Sequence, residues 1–394
     1  MPSEFPLFLL PMLVFNRVLK LITPFELVAI SLCSKKSKMF CKAARSQLQC
    51  KNGTKEFTLK FFSKKEIRLK FEYYPSMEWV FKLECFPNIN NSPPQRRVLQ
   101  KFISIFRRNH QTPSYTRVTN DLFINTWVPT EDDTTSENSL QLFTTEECQT
   151  LNMNLFILHL SDILNVPLDT IELHFQNYIQ ETNERIIDLY FPDDEEKPAV
   201  KSLTLIGKHW NTPEDDEVVD SLLRRQKARN KLKLLTRPTD EFKFNSEYFQ
   251  NKSNQLEMSH AHWVSFSEFL EMNTVEISLF NSTFTSDHLK LLFAKWNSGW
   301  TPKWKAALIE FFEAVDIDQC ANESNLIDSF SNVRVHRQEK IKRNQNEETK
   351  LIRYCLCRSD GKLGVVSLEG DTQGYFHVFP DVTLNMLRFP HFYQ

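Results

Sequence analysis

Apolar side chains in the opening stretch recur at helical spacing. Leu10, Leu13, Val14, Val18, Leu21 and Ile22 share one broad face, while Asn16, Arg17 and Lys20 fall largely opposite. The pattern predicts an amphipathic helix with Pro11 in its first turn, where a missing N–H does no harm. "TPFE" follows, with Thr23 as N-cap, Pro24 at the first helical position and Glu26 three residues after the cap. This is a capping box that starts a second helix carrying Phe25, Leu27, Val28, Ile30 and Leu32 to Cys33. Ser34 is placed to cap a third helix, "KKSKMFCKAARSQ", with its basic side in water and Met39, Phe40 and Ala43 turned inward.

After Gly53 the period changes to two. "EFTLKFF" puts Phe57, Leu59 and Phe61 on one face, "EIRLKFEYY" does so with Ile67, Leu69, Phe71 and Tyr73, and "EWVFKLECF" with Trp79, Phe81, Leu83 and Cys85. Three strands in an antiparallel meander are expected, their polar positions facing water. "NINNSPPQ" reads as a loop before a helix-like "RRVLQKFISIFRRN", and the acidic "PTEDDTTSENS" at 129–139 reads as an exposed loop.

Helix and strand then alternate. "LFILHLSDILNVPLDTIELHF" reads as a helix followed by a strand with Ile171, Leu173 and Phe175 inward. A related phrase returns in "HWVSFSEFLEMNTVEISLF": Leu160-Ser-Asp-Ile-Leu164 or Phe266-Ser-Glu-Phe-Leu270 precedes a Thr-aliphatic-Glu-aliphatic strand starting at Thr170 or Thr274. Ser265 with Glu268 forms a capping box at the second helix. Beyond it lie the strand "TVEISLF", the helix "SDHLKLLFAKWNSG" with Leu289, Leu292, Phe293 and Trp296 on one face, and the strand "WKAALIEFF". Two strands joined by one helix should be parallel with a right-handed crossover, and stacked units of this kind give a curved, leucine-rich-repeat-like sheet. The closing "LIRYCLCRSDGKLGVVSLEGDTQGYFHVF" is strand-rich, with "SDGK" as a hairpin turn.

Composition narrows the function. The 394 residues are 41% apolar and 25% charged, which suits a globular chain rather than a disordered or membrane protein. Only seven glycines leave little room for phosphate-cradling loops. A net charge of −2 supplies no global reason to seek nucleic acid or an anionic membrane. Cys33, Cys41, Cys50, Cys85, Cys148, Cys320, Cys355 and Cys357 lie mostly among apolar neighbours, as reduced thiols of an intracellular, cytoplasmic or nuclear protein would. The greasy start is not expected to be a signal peptide: Glu4 precedes it, Pro6 and Pro11 interrupt it, Arg17 and Lys20 end it, and no small-residue cleavage pattern follows. It is also too short to span a bilayer.

Candidate chemistry is sparse. His260 and His262 alternate like strand neighbours on one face, but metal-binding motifs are missing and Trp263 beside them favours packing. Cys355 and Cys357 flank Leu356 in an expected strand and are taken as core thiols on opposite sides. "RRQKARNKLK", Arg224 to Lys233, reads as a solvated helix compensated by the acidic "PEDDE" upstream; a contact for an acidic partner is the alternative, and nucleic acid is disfavoured by the lack of aromatic or Gly/Ser interleaving. "PDDEEKP" at 192–198 reads as a loop. Nucleotide-binding, kinase and serine-hydrolase signatures are not found, so no catalytic, cofactor or metal residues are assigned.

The order Phe5-Pro6-Leu7, Leu10-Pro11, Val14, Val18-Leu19, "TPFELVAISLCSKKSK" resembles an F-box of the nematode type. His262-Trp263, "SFSEFLEMNTVEISL", "FTSDHLKLLFAKWNSG" and "PKWKAALIEFF" resemble the type-2 F-box-associated domain of nematode F-box proteins. Pattern and resemblance together predict an α+β protein: a three-helix F-box at 1–48, a mixed β and α/β region at 53–257 that starts with the meander, and a type-2 F-box-associated domain at 258–394 with a β-rich tail, the α/β body being leucine-rich-repeat-like. In that family the leader and helices dock on a Skp-type adaptor and through it a cullin. By position, Leu7, Leu9, Leu10, Pro11, Val14, Val18, Phe25, Leu27, Ile30 and Leu32 are the adaptor candidates, shared between contact and core. The expected function is target recognition in a Skp–cullin–F-box ubiquitin ligase, without chemistry, cofactor, nucleic acid or membrane; the alternative is an adaptor-binding scaffold without ligase activity.

Overall fold

In a computed structural model of the chain, the described residues are 10, 11, 14, 17, 18, 22, 24–48, 54–71, 78–85, 116–120, 123–128, 139–144, 149–191, 200–243, 245, 248, 253–324, 333–343 and 348–379. The class is mixed α and β, in two compact units that divide between Leu173 and His174. The division falls inside the 53–257 region expected from the sequence.

The first unit opens on helices α1 (Pro24–Cys33) and α2 (Lys35–Leu48). Of the helix expected before them, Val14, Arg17 and Val18 are described and helical, and the Val14 N–H donates to Pro11 O at 2.9 Å. The expected cap Thr23 lies outside the described residues. Ser34 alone separates α1 from α2, and its Oγ accepts from the Ser37 N–H at 3.0 Å, the cap that the sequence predicts. The inward face of α2 differs from expectation. Met39 is 61% exposed and Ala43 is exposed, whereas Ser37 and Cys41 are buried and Phe40 half-buried. Ser37 and Cys41 lie four residues apart on one stripe. Their small side chains let α2 approach α1 closely enough for Cys41 Sγ to donate to Leu27 O at 3.6 Å.

The meander forms as expected: β1 (Thr54–Phe61), β2 (Lys65–Phe71) and β3 (Glu78–Cys85) pair antiparallel, with Leu59 opposite Ile67 and Leu69 opposite Trp79. Phe57, Leu59, Phe61, Ile67, Leu69, Trp79, Phe81 and Leu83 are buried, and Phe71 is half-buried. Tyr73 and the Cys85 side chain lie outside the described residues. The sheet is wider than the local pattern shows. β4 (Thr116–Asn120), β5 (Phe123–Val128) and β6 (Ser139–Thr144) extend it through a parallel β6–β3 pair. After α3 (Gln149–Leu164), β7 (Thr170–Leu173) pairs parallel with β1, giving the order β4-β5-β6-β3-β2-β1-β7 within this unit. The expected helix at 96–109 and the expected loops at 88–95, 129–138 and 192–198 lie outside the described residues.

In the second unit Phe175 is buried as predicted, though in a 3-10 turn (Phe175–Asn177) rather than a strand. Five strands then run parallel: β8 (Ser202–Trp210), β9 (Lys231–Arg237), β10 (Gln255–Met258), β11 (Glu276–Leu279) and β12 (Ala306–Glu310). Helices α4 (Gln180–Tyr190), α5 (Pro213–Arg225), α6 (Phe266–Glu271), α7 (Ser286–Asn297) and α8 (Ile317–Glu323) precede, separate or follow them. The expected β11–α7–β12 unit is present, with Leu289, Leu292, Phe293 and Trp296 buried, and the Ser265–Glu268 capping box is formed. β11 starts at Glu276 rather than Thr274.

An antiparallel ribbon closes this unit: β13 (Val333–Arg343), β14 (Glu348–Arg358), β15 (Leu363–Glu369) and β16 (Gln373–Phe379), with β16 against β12. "SDGK" makes the β14–β15 turn, with Gly361 at φ 85°, where a side chain is disfavoured. Cys355 and Cys357 do not face opposite sides. A strand repeats every two residues, so both share one face and the fully buried Leu356 takes the other; Cys355 is buried and Cys357 half-buried. "RRQKARNKLK" is not one helix. Arg224 and Arg225 end α5, Gln226 caps it, and Lys231 begins β9 because Leu232 and Leu234 alternate into the core. The compensation of charge is real but comes largely from other elements: Arg225 pairs with Glu184 and Asp188, and Lys231 and Lys233 pair with Glu257.

Candidate adaptor-binding helices

Burial sorts the ten candidate positions. Leu27 and Leu32 are 0% and 5% exposed, so they belong to the core. Phe25 and Ile30 are half-buried. The Phe25 ring meets Trp79 and Phe81 edge-on, with centroids 4.9 and 5.0 Å apart. Leu10 and Val18 are half-buried, whereas Pro11 is exposed and Val14 is 46% exposed. Leu7 and Leu9 lie outside the described residues. Thus α1 turns Leu27, Val28, Ala29 and Leu32 into its own unit, and the exposed residues include Pro11 and Val14 ahead of it and Lys36 and Met39 on α2.

Two polar contacts fix this helical pair to α3. Ser31 Oγ donates to Val28 O at 2.6 Å, so toward His159 Nε2, 2.7 Å away, the hydroxyl oxygen can only accept. His159 therefore carries its proton on Nε2. Burial, reinforced by the Lys38 charge, pushes its pKa down to about 4. One turn further, Asp162 takes Lys38 at 2.8 Å and Lys42 on its other oxygen. Hydrogen bonds from both lysines lower the Asp162 pKa to about 2. The sequence reading missed these residues. Their signals are a single histidine inside the apolar "LFILHLSDIL" and two lysines four apart on α2.

The second unit holds a cleft of about 950 Å³ lined by α5 residues Asp216, Glu217, Asp220 and Arg224 and by Phe242 and Tyr248. Asp216 is structural: it accepts from Asn211 Nδ2 at 2.8 Å and from the Thr239 N–H and hydroxyl at 3.0 and 2.6 Å. Asp220 pairs with Arg224 at 2.8 Å. His260 and His262 follow β10 in a loop, not a strand. Trp263 Nε1–H donates to His260 O at 2.7 Å, and its ring meets Phe242 edge-on. Among the described residues no cluster of three His, Cys, Asp or Glu side chains is placed to hold a metal ion, and no helix is long and apolar enough to cross a membrane.

No family model, curated protein or solved structure matches the chain.

Proposed function

We propose that this protein is a substrate-receptor subunit of a Skp–cullin–F-box ubiquitin ligase, acting inside the cell. The observation that carries the reading is the α1–α2 pair: it begins at Pro24 and turns at a single capped Ser34. It is pinned to α3 through Ser31 and His159, while Pro11 and Val14 stay accessible. Such a pair offers the adaptor a rigid platform whose cost of ordering is already met within the chain. The run of five parallel strands with intervening helices supports a leucine-rich-repeat-like target-binding body. No bond is made or broken by the receptor. It raises the effective concentration of target lysines near the conjugating enzyme held by the other subunits.

The test is affinity capture of the tagged full-length chain from cells. The Skp-type adaptor and a cullin are expected together, with a captured target that accumulates when the cullin is inactivated. Adaptor without cullin would make the protein a scaffold, and recovery of neither would overturn the assignment.

A further inference from the structure

Trp210 and Arg237 close the neighbouring parallel strands β8 and β9 and are register partners. The carboxyl ends of parallel strands are where open α/β sheets receive ligands. Trp210 is 56% exposed, unusual for so large an aromatic side chain. The Arg237 guanidinium lies over its ring, 2.9 Å from the centroid. Stacking uses the face of the guanidinium and leaves the N–H groups at its edge available. Among the described residues no acceptor takes any of them.

Two of the carboxylates nearby in sequence or on adjacent strands are engaged elsewhere. Asp215 accepts from the Thr212 N–H at 3.1 Å and from Gln176 at 2.9 Å. Glu310 accepts the Asn281 N–H at 2.7 Å, whereas Asp240, 93% exposed and 3.8 Å from His262, and the exposed Glu241 stay in solvent, neither within 4 Å of the Arg237 guanidinium. Lys208 is exposed two residues before Trp210 at the same strand end. A guanidinium packed over an exposed indole with its donors unused is placed to meet a carboxylate, and Trp and Arg are among the residues that most often dominate protein interfaces.

We propose that Trp210 and Arg237 form the anchor of a docking site for an acidic, Asp/Glu-bearing peptide segment of the target protein. The proposal rests on the receptor reading. Arg237 grips one carboxylate through its paired N–H edge, and Trp210 covers the adjoining methylene groups.

The experiment is fluorescence anisotropy on the full-length protein with a labelled twelve-residue Glu/Gly/Ser peptide and its Gln-for-Glu counterpart. The Glu peptide should bind and weaken with added salt, and the Gln peptide should not bind. R237Q and W210A should each weaken binding at least tenfold with unchanged circular dichroism. R237K, which keeps charge but loses the planar fork, should lose several-fold, and K303Q, a surface lysine elsewhere in this unit, should bind as wild type. No binding of the Glu peptide, or equal binding by R237Q or R237K, would overturn the site. Adaptor capture measured on the same preparation separates the two ideas: capture without peptide binding removes the docking site alone, whereas loss of capture removes the receptor reading.

Discussion

His159 on α3 donates its Nε2–H to Ser31 Oγ on α1 across 2.7 Å, between two side chains that are 7% and 2% exposed. The bond joins residues 128 positions apart in the chain. The bond survives protonation of the ring at Nδ1, so it is the burial of the imidazole that ties stability to pH.

Burial holds the folded His159 pKa down at about 4, below its ordinary 6.5. The unfolded chain therefore takes up this proton first as pH falls, and stability declines between pH 6.5 and 4. The slope for one proton is at most about 1.4 kcal/mol per pH unit. Asp162 acts in a lower window, from 3.8 to about 2, and contributes little because it is 38% exposed. Urea midpoints measured from pH 7 to 4 should fall less steeply in His159→Gln than in wild type. Identical slopes would show that His159 is not the group responsible.

Ser31→Ala removes the acceptor that the buried imidazole N–H meets. A loss of about 1–3 kcal/mol is expected from the stranded donor. Chemical denaturation measures it, and a change within about 0.5 kcal/mol, the usual range at indifferent surface sites, would show that the contact carries no weight.

Leu27 and Val14 separate core from surface within one candidate set. Leu27→Ala should destabilise by about 2–5 kcal/mol, since Leu27 is fully buried. Val14→Asp should alter stability by no more than about 0.5 kcal/mol, because Val14 is 46% exposed. Equal losses in thermal and urea denaturation would mean that Val14 is buried too.

Gly374 in β16 has no room for a side chain. A Cβ there would come within 2.6 Å of the Phe311 ring, itself 5% exposed. Gly374→Ala should cost about 1–3 kcal/mol through displacement of that ring. Full stability in urea would show that the ring moves aside freely.

The regular elements were readable because each rests on a local period. Phe57, Leu59 and Phe61 alternate into a core. The Ser34 cap and the Ser265–Glu268 box mark helix starts through bonds spanning three residues. What escaped depends on partners far away in sequence. The inward face of α2 is set by how closely Cys41 can approach Leu27, so the small stripe prevails over the larger Met39. Lys231 and Lys233 look helical beside Arg224 until Leu232 and Leu234 find a sheet core. The parallel pairs β1–β7 and β3–β6 leave no local mark at all. In the candidate site, composition named the apolar leader, but only packing could assign Leu27 and Leu32 to the interior and leave Pro11 and Val14 outside.

Direct titration of the purified full-length protein with a purified Skp-type adaptor tests the central claim. Saturable one-to-one binding is expected, with a loss of at least tenfold for the Val14→Asp variant while its melting curve stays that of wild type. Absence of binding, or an affinity untouched by Val14→Asp together with Leu10→Ala and Pro11→Ala, would contradict it.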